Sequence, residues 1–91
     1  MTVRKVVCAA IRDPNTQIIY CGPRHFDQVM WNQLKAAGIE IALEFEQGFV
    51  DQWGYFMDRY EAMRVALNAG QKVDFGRQGN IKDHLFSEGL Y

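Results

Sequence analysis

Read along the chain, the apolar positions change period from two to between three and four and back, and each change marks an expected element. Val3 to Ile11 is rich in β-branched and small residues; Asp13-Pro14-Asn15-Thr16 follows, and Gln17 to Cys21 resumes the extended pattern, which predicts a β-hairpin. A loop of those four residues pairs Arg12 with Gln17 and places Cys8 opposite Cys21. Pro14 at the first central position argues against a tight two-residue turn, which would need positive φ there. Gly22-Pro23 ends the second strand. Phe26, Val29, Met30, Leu34 and Ala37 then recur at helical spacing up to Gly38, while Asp27, Gln28, Asn32, Gln33 and Lys35 form the polar face. Trp31 lies off the stripe, as a core edge or a contact to another subunit.

Between Ile39 and Val50, Ile41, Leu43 and Phe45 alternate with Ala42, Glu44 and Glu46, the period-two pattern of a strand with one wet face, which Gln47-Gly48 is expected to interrupt. Phe49-Val50-Asp51, Gln52-Trp53-Gly54 and Tyr55-Phe56-Met57 read as a short aromatic hairpin. Asp58 with Glu61 resembles a capping box, and Ala62, Val65, Ala66 and Ala69 continue a second helix to Gly70. Gln71 to Phe75 predicts a last strand. Gly76 to Asn80 reads as a flexible loop, and Leu85, Phe86, Leu90 and Tyr91 make a tail too apolar to float free. The order predicts an α+β fold: an antiparallel sheet with two helices on one face, and a C-terminal tail docked on the body or on a neighbouring subunit.

The length of 91 residues fits a single domain, 1–91, and a hydrophobic content of 48% supports a globular core. A net charge of −1 supplies no general field for a nucleic acid polymer or an acidic membrane, so an anion site has to be built locally. No stretch approaches the roughly 18 apolar residues of a spanning helix, and no signal-peptide pattern opens the chain, which together predict a cytoplasmic protein.

Chemistry-bearing motifs are sparse. Cys8, Cys21, His25 and His84 have neither C-x-x-C nor paired-histidine spacing, so no metal and no cofactor is expected, and the cysteines read as reduced residues packed in strands. Ser87 lacks a nucleophile-elbow setting. Asp51, Asp58 and Glu61 would serve a small nucleotide hydrolase only if folding paired them with separated pKa values; a wet strand edge and a helix cap account for most such carboxylates. Arg24-His25, after a Gly-Pro turn and before a helix, is a candidate phosphate site, the alternative being an exposed loop with Arg24 paired to Asp27. Arg77, two residues from Gly79 and next to Gly76, sits in a loop able to close on a ligand. Phe49, Trp53, Tyr55, Phe56 and Tyr60 are too dense for all to be buried, so some are left for stacking or subunit contact.

Four segments, Gly22-Pro23-Arg24-His25-Phe26-Asp27, Glu46-Gln47-Gly48-Phe49-Val50-Asp51, Asp58-Arg59-Tyr60-Glu61-Ala62 and Leu85-Phe86-Ser87-Glu88-Gly89-Leu90-Tyr91, together resemble the Thoeris anti-defence protein 1 family of phage proteins, over nearly the whole chain. That resemblance implies a non-enzymatic homo-oligomer acting in the cytoplasm of the infected bacterium. Such a protein sequesters cyclic ADP-ribose-type immune signals at a site between protomers, with some relatives also holding cyclic oligonucleotides. By the same analogy, Phe49 and Arg77 would sandwich the adenine, Arg24 with His25 would meet phosphate, and Asp58 and Asp83 would contact ribose hydroxyls. Asp58 stands where relatives often have Asn, and Gly89 where the tail usually has Asp. A different reading, independent of any small-molecule site, is a phage accessory protein that binds a host protein through the aromatic ribbon.

Overall fold

The computed structural model describes residues 3–40, 44–79 and 82–90. Their elements run β1 (Val6–Arg12), β2 (Ile19–Gly22), α1 (Gln28–Ala36), β3 (Glu46–Asp51), β4 (Phe56–Asp58), α2 (Arg59–Asn68) and a single turn, α3 (Ser87–Leu90). The strands form one antiparallel sheet in the order β2-β1-β3-β4. Cross-strand partners share a face, so the pairs Ala9↔Phe49, Phe49↔Met57 and Ile11↔Tyr20 put those residues on one side. There they meet Met30 and Leu34 of α1 and Ala62, Met63 and Ala66 of α2, all buried in one cluster. This is the expected α+β arrangement, with both helices on one face. The opposite, open face carries Cys8, Ala10, Arg12, Cys21, Gly48, Val50 and Phe56, with Ala10, Gly48 and Val50 buried among their neighbours, and α1 and α2 reach its margins through Val29 and Glu61.

The β1–β2 register differs from the expected one. Ala10, not Cys8, pairs with Cys21, and Arg12 pairs with Ile19. The connection is lengthened by its own hydrogen bonds: the Asp13 carboxylate accepts from the Asn15 N–H, the Gln17 N–H donates to the Asp13 carbonyl, and the Asp13 N–H donates to the Ile18 carbonyl. Gln17 takes φ of 63°, so Gln17 and Ile18 belong to the turn rather than to the strand. Cys8 and Cys21 become diagonal neighbours on the open face.

Helix α1 starts later than the apolar stripe suggests. Asp27 is its N-cap, accepting from the Met30 N–H at 2.9 Å, and Phe26 stands outside with φ of 56°. Val29 and Ala37 are exposed despite their spacing, whereas Trp31 lies half-buried against the core and Phe26, 5.8 Å between ring centroids. Strand β3 starts at Glu46 and runs through Gly48 without interruption; the expected strand positions Ile41 to Leu43 fall outside the described residues. Gly48 fits the ladder because a Cβ there would strike the Met57 carbonyl and the Phe56 ring. The β3–β4 hairpin matches expectation, and the buried Asp51 closes it by accepting from the Trp53 and Tyr55 N–H groups, 2.9 Å each. Asp58 caps α2 through the Glu61 N–H at 2.8 Å, but the Glu61 side chain turns to Arg4 instead of completing the box.

Gln71 to Phe75 is not a strand. Gln71 spends its side chain on Val6, Val73 and Phe75 lean on the core, and the Asp74 N–H donates to the Gly89 carbonyl at 2.7 Å. Leu85 is fully buried within the main cluster, and Leu90 packs against it.

Candidate functional site

The four segments singled out in the sequence converge on one polar knot. Its first member is His25, carried by the Gly22–Asp27 turn. The Nε2 of His25 lies 2.7 Å from the Gly48 carbonyl, which can only accept, so Nε2 carries the proton and Nδ1 is left as acceptor for the Ser87 hydroxyl at 3.4 Å. The ring also meets Phe49 edge-on, at 5.1 Å between centroids. Burial, together with the nearby Arg59 charge, holds the His25 pKa below the ordinary imidazole value, which keeps this neutral tautomer in place. Arg59, from the first turn of α2, donates to the Gln47 side chain at 2.6 Å and to the Leu85 carbonyl at 2.9 Å, and its guanidinium covers the Phe86 ring at 4.4 Å. Helix α2, strand β3 and the tail are thereby held by one cation.

A serine beside an imidazole raises the question of nucleophilic chemistry. Ser87 is buried, its Oγ also accepts from the His25 N–H at 3.4 Å, and the far nitrogen of the ring is oriented by a carbonyl rather than a carboxylate. This geometry fastens the tail and leaves no path for a substrate to Oγ in this conformation. Of the carboxylates weighed for hydrolysis, Asp51 is tied to Arg4 and the hairpin N–H groups, Glu61 to Arg4, and Asp58 to the α2 cap.

On the other side of Gly48, the open sheet face holds a cleft. Arg12, Glu46, Gln47, Phe56, Asp58 and Glu61 line a cavity of about 500 Å³. The Arg12 guanidinium lies 4.4 Å over the Phe56 ring and pairs with Glu46 at 2.6 Å. Phe56 lies where only a glycine at 48 leaves room, and Gln47 is held by Arg59, so the knot sets the floor and one wall of the cleft. Chemically, the cleft offers a stacked aromatic–guanidinium pair and several hydroxyl acceptors, with Arg12 as its cation.

The other sequence-derived candidates are dispersed. Arg24 is exposed, its backbone N–H on the Asp27 carboxylate at 3.0 Å; because Asp27 also caps α1, the chain's own carboxylate fills the place expected for a phosphate. Phe49 is fully buried and its ring is committed to the core, so it presents no face for base stacking here. Arg77 is on an exposed turn whose N–H donates to Asp74, and Asp83 pairs with His84 at 2.7 Å. Asp58 lines the cleft; Arg24, His25, Phe49, Arg77 and Asp83 do not. Sequence reasoning missed Arg12, Arg59 and Gln47, and named Phe56 only within the aromatic group left for stacking or subunit contact. For Arg12 and Phe56 a signal existed, since correct strand registers place them on neighbouring lines of one face; for Arg59 and Gln47 nothing in the periodicity distinguished them. Among the described residues, no three His, Cys, Asp or Glu side chains converge as a metal would require, and no helix is long and apolar enough to cross a membrane.

Residues 5–91 match the family described as phage T4 y16D protein. No curated protein and no solved structure matches the chain.

Proposed function

This chain belongs to the phage T4 y16D protein family, and we propose that it binds and sequesters a cyclic ADP-ribose-type immune signal without cleaving it, in the cytoplasm of the infected host. The reading starts from the resemblance carried by the Gly22–Asp27, Glu46–Asp51, Asp58–Ala62 and Leu85–Tyr91 segments. The single observation that carries it into the structure is the cleft in which Arg12 over Phe56 stands beside Asp58. A cavity of about 500 Å³ falls in the range of small-molecule sites. An aromatic with a guanidinium suits a purine, and carboxylates accept from ribose hydroxyls. A diphosphate needs more cations than Arg12 alone, and Arg24 and Arg77 do not line the cleft. The proposal therefore includes a homo-oligomer in which a neighbouring subunit brings its own cations to this cleft, as Arg24 or Arg77 of a second copy would.

Calorimetry with cyclic ADP-ribose isomers tests this, followed by denaturation and mass analysis of the released ligand. Tight binding with intact recovery is expected. Phe56→Ala should lose about 1–3 kcal/mol of stacking, roughly a fivefold to 150-fold rise in Kd. Asp58→Asn keeps the helix cap and should weaken binding without unfolding the protein. Recovery of ligand fragments would instead make the protein a hydrolase, and no binding to any isomer would reject the sponge. One observation favours a second reading: Trp53 and Tyr55, at the β3–β4 turn, are 55% and 68% exposed, which suits a host-protein contact of the kind aromatic residues make.

A further inference from the structure

On the open face, at the end of the sheet away from the cleft, Cys8 and Cys21 line an apolar groove with Val7, Gly22, Pro23 and Val29. Both are half-exposed and unbridged. The register sets Ala10 opposite Cys21, so Cys8, two residues back on the same face, is its diagonal neighbour, and both thiols line the same groove. We propose that Cys8 and Cys21 form a dithiol site modified by small disulfides, with Cys8 as the attacking sulfur and Cys21 as the resolving one.

Three features support the pair as a site, and the first of them sets the division of labour. The Cys21 thiol donates to Cys8 and lowers the Cys8 pKa to about 7, against the opposing effects of burial and of the Asp27 carboxylate, while Cys21 itself is pushed upward by the same contact and by burial. The groove is open and largely apolar, which admits a small reagent. The strands are irregular at this end: β1 changes register between Val6 and Cys8, and Cys21 is one residue from the end of β2, before Gly22-Pro23. Diagonal cysteines lie farther apart than an unstrained disulfide prefers, so the bond, once made, is readily reduced.

With glutathione disulfide as oxidant, the Cys8 thiolate attacks one of its sulfurs, forming a Cys8–glutathione mixed disulfide and releasing one glutathione thiolate. Cys21 then loses its proton to solvent and attacks the Cys8 sulfur. The Cys8–Cys21 bond forms and a second glutathione leaves, so two protein thiols are oxidised and one glutathione disulfide is reduced to two glutathiones. The product ties β1 to the base of the turn that carries Arg24 and His25.

The test treats the full-length protein with glutathione disulfide, alkylates the remaining thiols and reads intact mass and a non-reducing gel. Expected are joint loss of both thiols, a monomeric product lighter by two hydrogens, and reversal by reduced glutathione. Cys21→Ser should stop at a single glutathione adduct on Cys8, and Cys8→Ser, in which burial still opposes the Cys21 thiolate, should react more slowly. Serine preserves size, and circular dichroism of each variant checks the fold. Equal rates in the two variants, disulfide-linked dimers as the main product, a persistent mixed adduct in the wild type, or no reaction would each overturn the proposal.

Discussion

Gly48 stands at the centre of the sheet with the His25 ring on its carbonyl and the Phe56 ring over its Cα. A methyl group there meets the Met57 carbonyl, a backbone atom that cannot swing aside, so Gly48→Ala should destabilise the protein by about 3 kcal/mol, measured by urea unfolding, and should tilt Phe56 out of the cleft. Asp51 poses an electrostatic question at the same scale. Burial disfavours its charge, but the Tyr55 and Trp53 N–H groups and the Arg4 guanidinium more than offset this, and its pKa lies below the ordinary carboxylate value. A carboxyl depressed in the folded state contributes stability that is complete above the unfolded value, near 4, and is lost as pH falls through the folded value. Arg4→Ala removes the cation and leaves the carboxylate buried, at a cost of about 2 kcal/mol near neutral pH. The same variant should begin acid unfolding at a higher pH than wild type, as a circular-dichroism titration would show.

At the scale of elements, glutamine side chains stand in for strands. Among the described residues, the Gln33 amide takes the Cys21 N–H and carbonyl on the open edge of β2; Gln71 does the same for Val6, Gln52 bridges Val3 and Lys5, and Gln78 bridges His84 and Phe86. Each supplies one donor and one acceptor to backbone groups left without a strand partner and, at β2, occupies an edge that another chain would otherwise pair with. Gln33→Ala should therefore cost about 1–2 kcal/mol, the worth of two hydrogen bonds, and raise the tendency to aggregate, read by light scattering during thermal unfolding. These amides also explain where the sequence was opaque. The β3–β4 hairpin, the α2 cap and the helical stripes were legible because periodicity and capping act through neighbours in sequence. The Cys8–Cys21 register and the supposed last strand at Gln71–Phe75 were not, because the Asp13–Ile18 turn and the Gln71 side chain settle them by contacts that leave no periodic trace. In the cleft, Asp58 and Glu61 were legible through the local pattern of the α2 cap and Phe56 through the density of aromatics, whereas the meeting of Arg12 with Phe56 spans three strands.

At the scale of the molecule, the tail is built into the core rather than laid upon it, and His25 meets it through Ser87. Leu85 is fully buried, its carbonyl accepts from Arg59, and Gly89 leaves room only for the Gln78 amide. Leu85→Ala should cost about 3 kcal/mol through the lost burial and the cavity left behind. The knot beside it depends on a neutral imidazole whose Nδ1 accepts from Ser87. Protonation turns that nitrogen into a donor and sets a second positive charge near Arg59, from α2, with Glu88, from the tail, as the opposing charge. Because burial holds the His25 pKa below its unfolded value of about 6.5, the unfolded chain takes up the proton first, and stability contributed by this site is complete above that pH and declines as pH falls towards the folded value. The decline should be local before it is global. Amide-exchange protection factors at Leu85 and Phe86, whose N–H groups donate to the Arg59 carbonyl and the Gln78 side chain, should fall between pH 7.5 and pH 5, while those in β1 and β3 hold. His25→Gln, which retains a donor for Gly48 but carries no titratable ring, should abolish the pH dependence. Protection at Leu85 that is unchanged across that interval in the wild type would show that the tail is held by its apolar contacts and by Arg59 alone.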